Sequence, residues 1–125
     1  MGFLNARRAQ KAQEEQERLA GIASRQQLES AEGRFKDEFA SWLSRLESVH
    51  VELGGPALSD ETLRKAGPFP VPNTAGLLRH HVIEINAFAR SFADSFLERR
   101  RLQATTAGNR QFYGDVAQFA NSVLG

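Results

Sequence analysis

At 125 residues, with 41% hydrophobic and 25% charged side chains, the chain has the size and composition of one folded domain rather than of a disordered segment. A formal charge of +1 from 16 basic and 15 acidic side chains speaks against duplex nucleic acid as the main ligand, because such binders carry a clear basic excess. With no cysteine, disulfides, thiolate metal sites and thiol nucleophiles are excluded.

No run approaches the roughly 18–20 apolar residues that cross a bilayer, and Met1-Gly2-Phe3-Leu4-Asn5 lacks the basic and apolar segments of a signal peptide. The expected location is the cytoplasm, or a particle such as a virion assembled there.

Residues 1–30 read as a polar helical extension. Arg7, Arg8, Lys11, Glu14, Glu15, Glu17, Arg18 and the interspersed Gln and Ala favour helix. Lys11–Glu15 and Glu14–Arg18 stand one turn apart, where opposite charges attract. The segment has little to bury beyond Leu4, Leu19 and Ile22.

From residue 28 the pattern changes. Leu28, Phe35, Phe39, Trp42, Leu46, Val49 and Leu53 follow the alternating three- and four-residue spacing of a bundle or coiled-coil seam. Only the place between Leu28 and Phe35 lacks a large residue. Projected backwards, the seam meets Arg25, Gly21, Arg18 and Glu14, so it cannot continue into the extension. Gly54-Gly55-Pro56 ends the helix.

The linker, residues 54–73, holds a short helix opened by Ser59-Asp60-Glu61 and closed by Gly67-Pro68. Pro68-Phe69-Pro70-Val71-Pro72 must be extended, with Phe69 and Val71 set against one end of the bundle. Asn73 or Thr74 caps the next long helix. Its seam is Leu78, Val82, Ile85, Ala89, Phe92 and Phe96, widened by Phe88. Residues 103–109 form a turn, and Phe112, Val116, Phe119 and Val123 mark a last amphipathic helix.

The predicted fold is therefore all-α. Two long helices form an antiparallel helical bundle with a C-terminal helix (residues 31–125), preceded by the charged extension.

Candidate chemistry is sparse. Glu47-x-x-His50, with His80, His81 and Glu84, would share one end of an antiparallel bundle. A single Glu-x-x-His, however, is half of what a di-iron bundle needs, and helix capping or contact with water accounts for these residues. No metal or other cofactor is assigned. Without a nucleophile elbow or phosphate loop, no catalytic residue is assigned either, and the protein is read as a non-enzyme.

Arg99-Arg100-Arg101 is the one dense basic cluster. It would suit phosphates or an acidic partner, though cations at a helix C-terminus also complement the helix dipole. Apolar residues off the seams, among them Leu43 and Phe88, exceed what one chain can cover, and such surplus meets other chains.

The expected function is that of a structural or assembly subunit of a large particle, such as a phage virion or a secretion or injection apparatus. Its partners are other protein subunits, including further copies of itself. Contacts are assigned to Leu4, Leu19, Ile22, Leu43, Phe88, Arg99, Arg100 and Arg101. A regulatory adaptor or a nucleic-acid-associated helical protein is the alternative.

Overall fold

A computed structural model describes the backbone of residues 2–125 and the side chains of residues 6–125. These form four helices and no strand: α1 (Gly2–Leu53), α2 (Asp60–Ala66), α3 (Arg79–Gln103) and α4 (Ala107–Leu124). Among the described residues no helix is long and apolar enough to cross a membrane.

The polar extension and the first seam are one unbroken helix of 52 residues, about 78 Å long at 1.5 Å per residue. Its buried face carries Ser24, Leu28, Ala31, Phe35, Phe39, Trp42, Leu43, Leu46 and His50. Ala31 fills the gap after Leu28. The face continues backwards through Ser24, four residues before Leu28, not through Arg25. Gly54, at φ 76°, turns the chain out of the helix while its N–H bonds to the His50 carbonyl at 2.9 Å.

The linker behaves as its residues dictate at first. The Ser59 hydroxyl caps α2 by accepting from the Thr62 N–H at 3.2 Å, and Gly67 ends the helix at φ 92°. Trp42 Nε1 donates to the Gly67 carbonyl at 3.3 Å, and Arg45 Nε donates to that of Ala66 at 3.1 Å. Phe69 packs edge-on to Trp42, with ring centroids 4.8 Å apart. Phe69 thus covers the side of α1 rather than the end of a bundle, and Val71 stays 58% exposed. Gly76 comes to rest beside Gln27.

The linker therefore runs backwards along α1, and this overturns the antiparallel pairing of the two long helices. Ser24 meets His81, Phe35 meets Phe92 and Phe39 meets Phe96, so numbers rise together and α3 runs parallel to α1. The cause is the proline segment. Six residues from Gly67 to Asn73 at about 3.1 Å each span about 19 Å before the turn at residues 73–76. The stretch of α1 from Trp42 back to Gln27 is about 22 Å. A helical connection of that length would fall short.

α3 also begins later than expected. The Asn73 side chain accepts from the Ala75 N–H at 3.0 Å in a local turn, and Gly76 at φ 78° extends it. The N-cap position falls to Leu78. The fully buried line of α3 is His81, Ile85, Ala89, Ala93 and Leu97, with Phe88, Phe92 and Phe96 half-buried beside it.

Thr106 caps α4 by accepting from the Asn109 N–H at 3.1 Å. α4 then runs antiparallel to α1: its Phe112 stacks on His50, and its Phe119 on Trp42. Its buried residues are Phe112, Val116 and Ala120, while Val123 is 41% exposed. The main core holds Phe35, Phe39, Trp42, Leu43, Leu46, Ala89, Ala93, Leu97, Phe112 and Val116. A smaller one joins Leu28, Ala31 and Ile85.

Candidate functional site

Every described residue from 6 to 23 is exposed except the half-buried Gly21, so α1 projects from the packed body as an arm of about 27 Å. Such a segment would be a marginal helix alone, because nucleation is costly. Here residues 24–53 are already packed as helix, and the arm only propagates outward from them. On it Arg18 binds Glu15 at 2.5 Å, three residues away, rather than Glu14. That bond lowers the Glu15 pKa and raises that of Arg18.

Leu19 and Ile22 are 51% and 45% exposed. At about 100° per residue they lie roughly opposite the face on which Ser24 and Leu28 are buried. The body's own core cannot reach them. Leu4, the third apolar position assigned to contact, lies outside the residues whose side chains are described.

The base of the arm holds a polar clasp that the sequence reading missed. Ser24 and His81 are both 2% exposed. The Leu78 N–H donates to Ser24 Oγ at 2.8 Å, and Oγ lies 2.5 Å from His81 Nδ1. The hydroxyl thus joins the Leu78 amide to the imidazole, and the tautomer of the ring sets the direction of the second bond. Ser24 thus supplies from α1 the anchor that Leu78 cannot supply for the start of α3. The one signal was the spacing of Ser24, one turn before Leu28, where a small polar residue can extend the buried face.

The other assigned contact residues divide. Leu43 is 1% exposed and belongs to the main core, which corrects its assignment to a partner surface. It sits next to Trp42 on a face wide enough for α3 and α4 together. Phe88 is half-buried, in contact with both cores and overlain by the Lys36 ammonium at 5.6 Å. Arg99 and Arg100 lie 5.7 and 5.4 Å from the centre of the Phe96 ring, where a cation is held by the ring face. Arg101 makes two bonds to Glu98, at 2.9 and 2.6 Å, which lower the Glu98 pKa. Arg99 and Arg100 line a shallow depression with Phe96 and Gln103, while Arg101 turns to Glu98, so the three do not act as one cluster.

The histidines do not form a site. Because α3 runs parallel to α1, His81 faces Ser24 while His50 lies 26 residues further along α1, about 39 Å away by helical rise. Among the described residues no group of three or more His, Asp or Glu side chains is placed to hold a metal ion.

His50 is instead stacked on Phe112, with centroids 3.9 Å apart at 14°, and its Nδ1 is buried without a hydrogen-bond partner. Burial lowers its pKa from 6.5. Above that pH the ring is neutral in both states and no penalty arises. As pH falls through it, the unfolded chain takes up a proton that the folded chain refuses, and stability drops until the folded pKa is reached. Urea unfolding between pH 7.5 and 5.5 is expected to show this loss, and His50→Phe should lose less stability over the same range. Equal losses in the two proteins would remove His50 as the cause.

One turn earlier, the Tyr113 hydroxyl donates to the Glu47 carboxylate. Burial and that bond push its pKa up to about 12. This pair fastens α4 to α1 and leaves no ionised phenolate at neutral pH for chemistry.

No protein-family model, curated protein or solved structure matches the chain.

Proposed function

We propose that the protein is a structural or assembly subunit whose α1 arm docks on other protein chains, holding them to the helical body. The observation that carries this reading is the unbroken helix with residues 6–23 in solvent and Leu19 and Ile22 turned away from the body's own core. A helix with an uncovered apolar stripe is suited to helix-to-helix recognition. No catalytic step and no cofactor enters the proposal. A large particle such as a virion or a secretion apparatus remains the setting in which a subunit of this kind would serve.

The test is removal of residues 1–23, not 1–30, since Ser24, Leu28 and the Leu28–Ile85 core must stay intact. The shortened chain is expected to keep the melting temperature of the body within a few degrees, because residues 6–23 bury almost nothing. Expressed in its native cells, it should shift from the high-mass fraction of the full chain to the mass of a free subunit. Retention in the high-mass fraction would refute docking through the arm.

A further inference from the structure

We propose that Arg99 and Arg100, with Gln103 between them, form a binding site for one phosphoryl group, taken as the dianion of a phosphate monoester. Because α3 runs parallel to α1, the site lies at the end of the body remote from the arm. Phe96, Arg99, Arg100 and Gln103 stand at i, i+3, i+4 and i+7, so by helical spacing they outline one diamond on the surface of α3. The two arginines flank it, and Phe96 and Gln103 close its ends. The four line a depression of about 190 Å³. A second depression, of about 230 Å³, adjoins it through Arg100 and Gln103 and adds Thr105, Asn109 and Tyr113. No acidic side chain lines either one.

The donors of these two arginines are unused. Arg18 and Arg101 each pair with a glutamate three residues before them, and Arg45 and Arg110 donate to backbone carbonyls. Among the described residues Arg99 and Arg100 make no hydrogen bond and no ion pair, and both rest against the Phe96 ring. A ring face holds a cation without consuming its N–H groups, so the two long side chains are ordered in advance with their forks open. Two forks and the Gln103 amide offer more donors than the two oxygens of a carboxylate can accept. They suit the three terminal oxygens of a phosphoryl group. The carbonyl end of α3 alone would oppose an anion. The arginines offset it, and α4 begins four residues on with no acidic side chain in its first turn. A nucleic-acid strand needs cations in a row, and here the next ones are engaged, Arg101 by Glu98 and Arg110 by the Ala104 carbonyl. The site therefore takes a single group rather than a strand.

Titration of the full chain with phosphoserine at constant ionic strength, followed by NMR, is expected to shift the Nε–H signals of Arg99 and Arg100 and the side-chain amide of Gln103, with a dissociation constant of about 1 mM. Inorganic phosphate should bind at the same signals, and acetate at least about tenfold more weakly. Binding of phosphoserine should strengthen as pH rises through about 6, where its second charge appears. Arg99→Gln and Arg100→Gln should each weaken binding at least about fivefold, and Arg100→Lys, which keeps the charge and loses the fork, should fall between. Arg101→Gln should stay within about twofold of the unaltered chain, since Arg101 is already paired.

Shifts spread evenly over all the arginines overturn the proposal. So does acetate binding as tightly as phosphoserine, or a loss on Arg101→Gln as large as that on Arg99→Gln. A single-stranded oligonucleotide that binds more tightly than phosphoserine, and weakens equally on Arg99→Gln, would replace the single-group site with a strand site. None of these results bears on recovery of the chain in a high-mass fraction of its native cells, so failure of the phosphoryl site and failure of arm docking are separately visible.

Discussion

Trp42→Ala is expected to cost about 3–5 kcal/mol of folding stability, the range for deleting a large aromatic side chain from a packed core. Trp42 has no exposed surface. Its ring touches Phe39 on its own helix, Phe69 from the linker and Phe119 from α4, and its indole N–H holds the carbonyl that ends α2. One side chain therefore joins three separate stretches of the chain. Since small domains are stable by about 5–15 kcal/mol, the variant should stand near the edge of unfolding at 37 °C. Urea unfolding must be followed by far-ultraviolet circular dichroism, because the change removes the chain's one tryptophan. A loss below about 1 kcal/mol would mean that the linker and α4 do not meet α1 at this point. Trp42→Phe, which keeps most of the ring contact, should fall well short of the alanine variant.

Ser24→Ala is the second. It removes one oxygen and leaves two groups unsatisfied, the Leu78 N–H and the buried imidazole of His81. A buried donor or acceptor left without a partner costs about 1–3 kcal/mol, more than a typical hydrogen bond contributes net. The expected loss is about 2–3 kcal/mol for a change of a single atom. Replacing both side chains, as Ser24→Ala with His81→Leu, should recover about half of it, because only the Leu78 amide then lacks its partner. A double variant weaker than the sum of the two single changes would show that the clasp is not the coupled pair described here.

Much of this architecture was legible in the residues. The seam of α1 from Leu28 to Leu46, the Ser59 cap, the glycine stops at residues 54 and 67 and the extended proline segment all follow from local chemistry acting within a few residues. Direction was not legible. Both long helices show the same period whether they run parallel or antiparallel, and the outcome depends on how far the linker travels. Its reach comes from five residues, Pro68 to Pro72, whose extended backbone doubles the distance that a helix of equal length would cover.

The α3 face was misjudged for a related reason. Phe92 and Phe96 were the larger residues, but α3 lies between two helices, and its deepest line is the small-residue row through Ala89 and Ala93.

The exposure of Leu19 and Ile22 was legible because nothing at helical spacing could cover them. Leu43 was not, since one helix flanked by two neighbours buries a wider arc than a single seam suggests. The Ser24–His81 clasp was hidden because a serine and a histidine 57 residues apart carry no local sign of meeting.

The continuity of α1 has a mechanical consequence. A helix without a break carries bending and twist along its length, so a load applied near residue 6 acts on the packed helix at Ser24. Rolling the arm about its long axis would drag the serine hydroxyl away from His81 and pull at the first turn of α3. A load on the arm would thereby be felt in the middle of the molecule, as a torque on one buried hydroxyl.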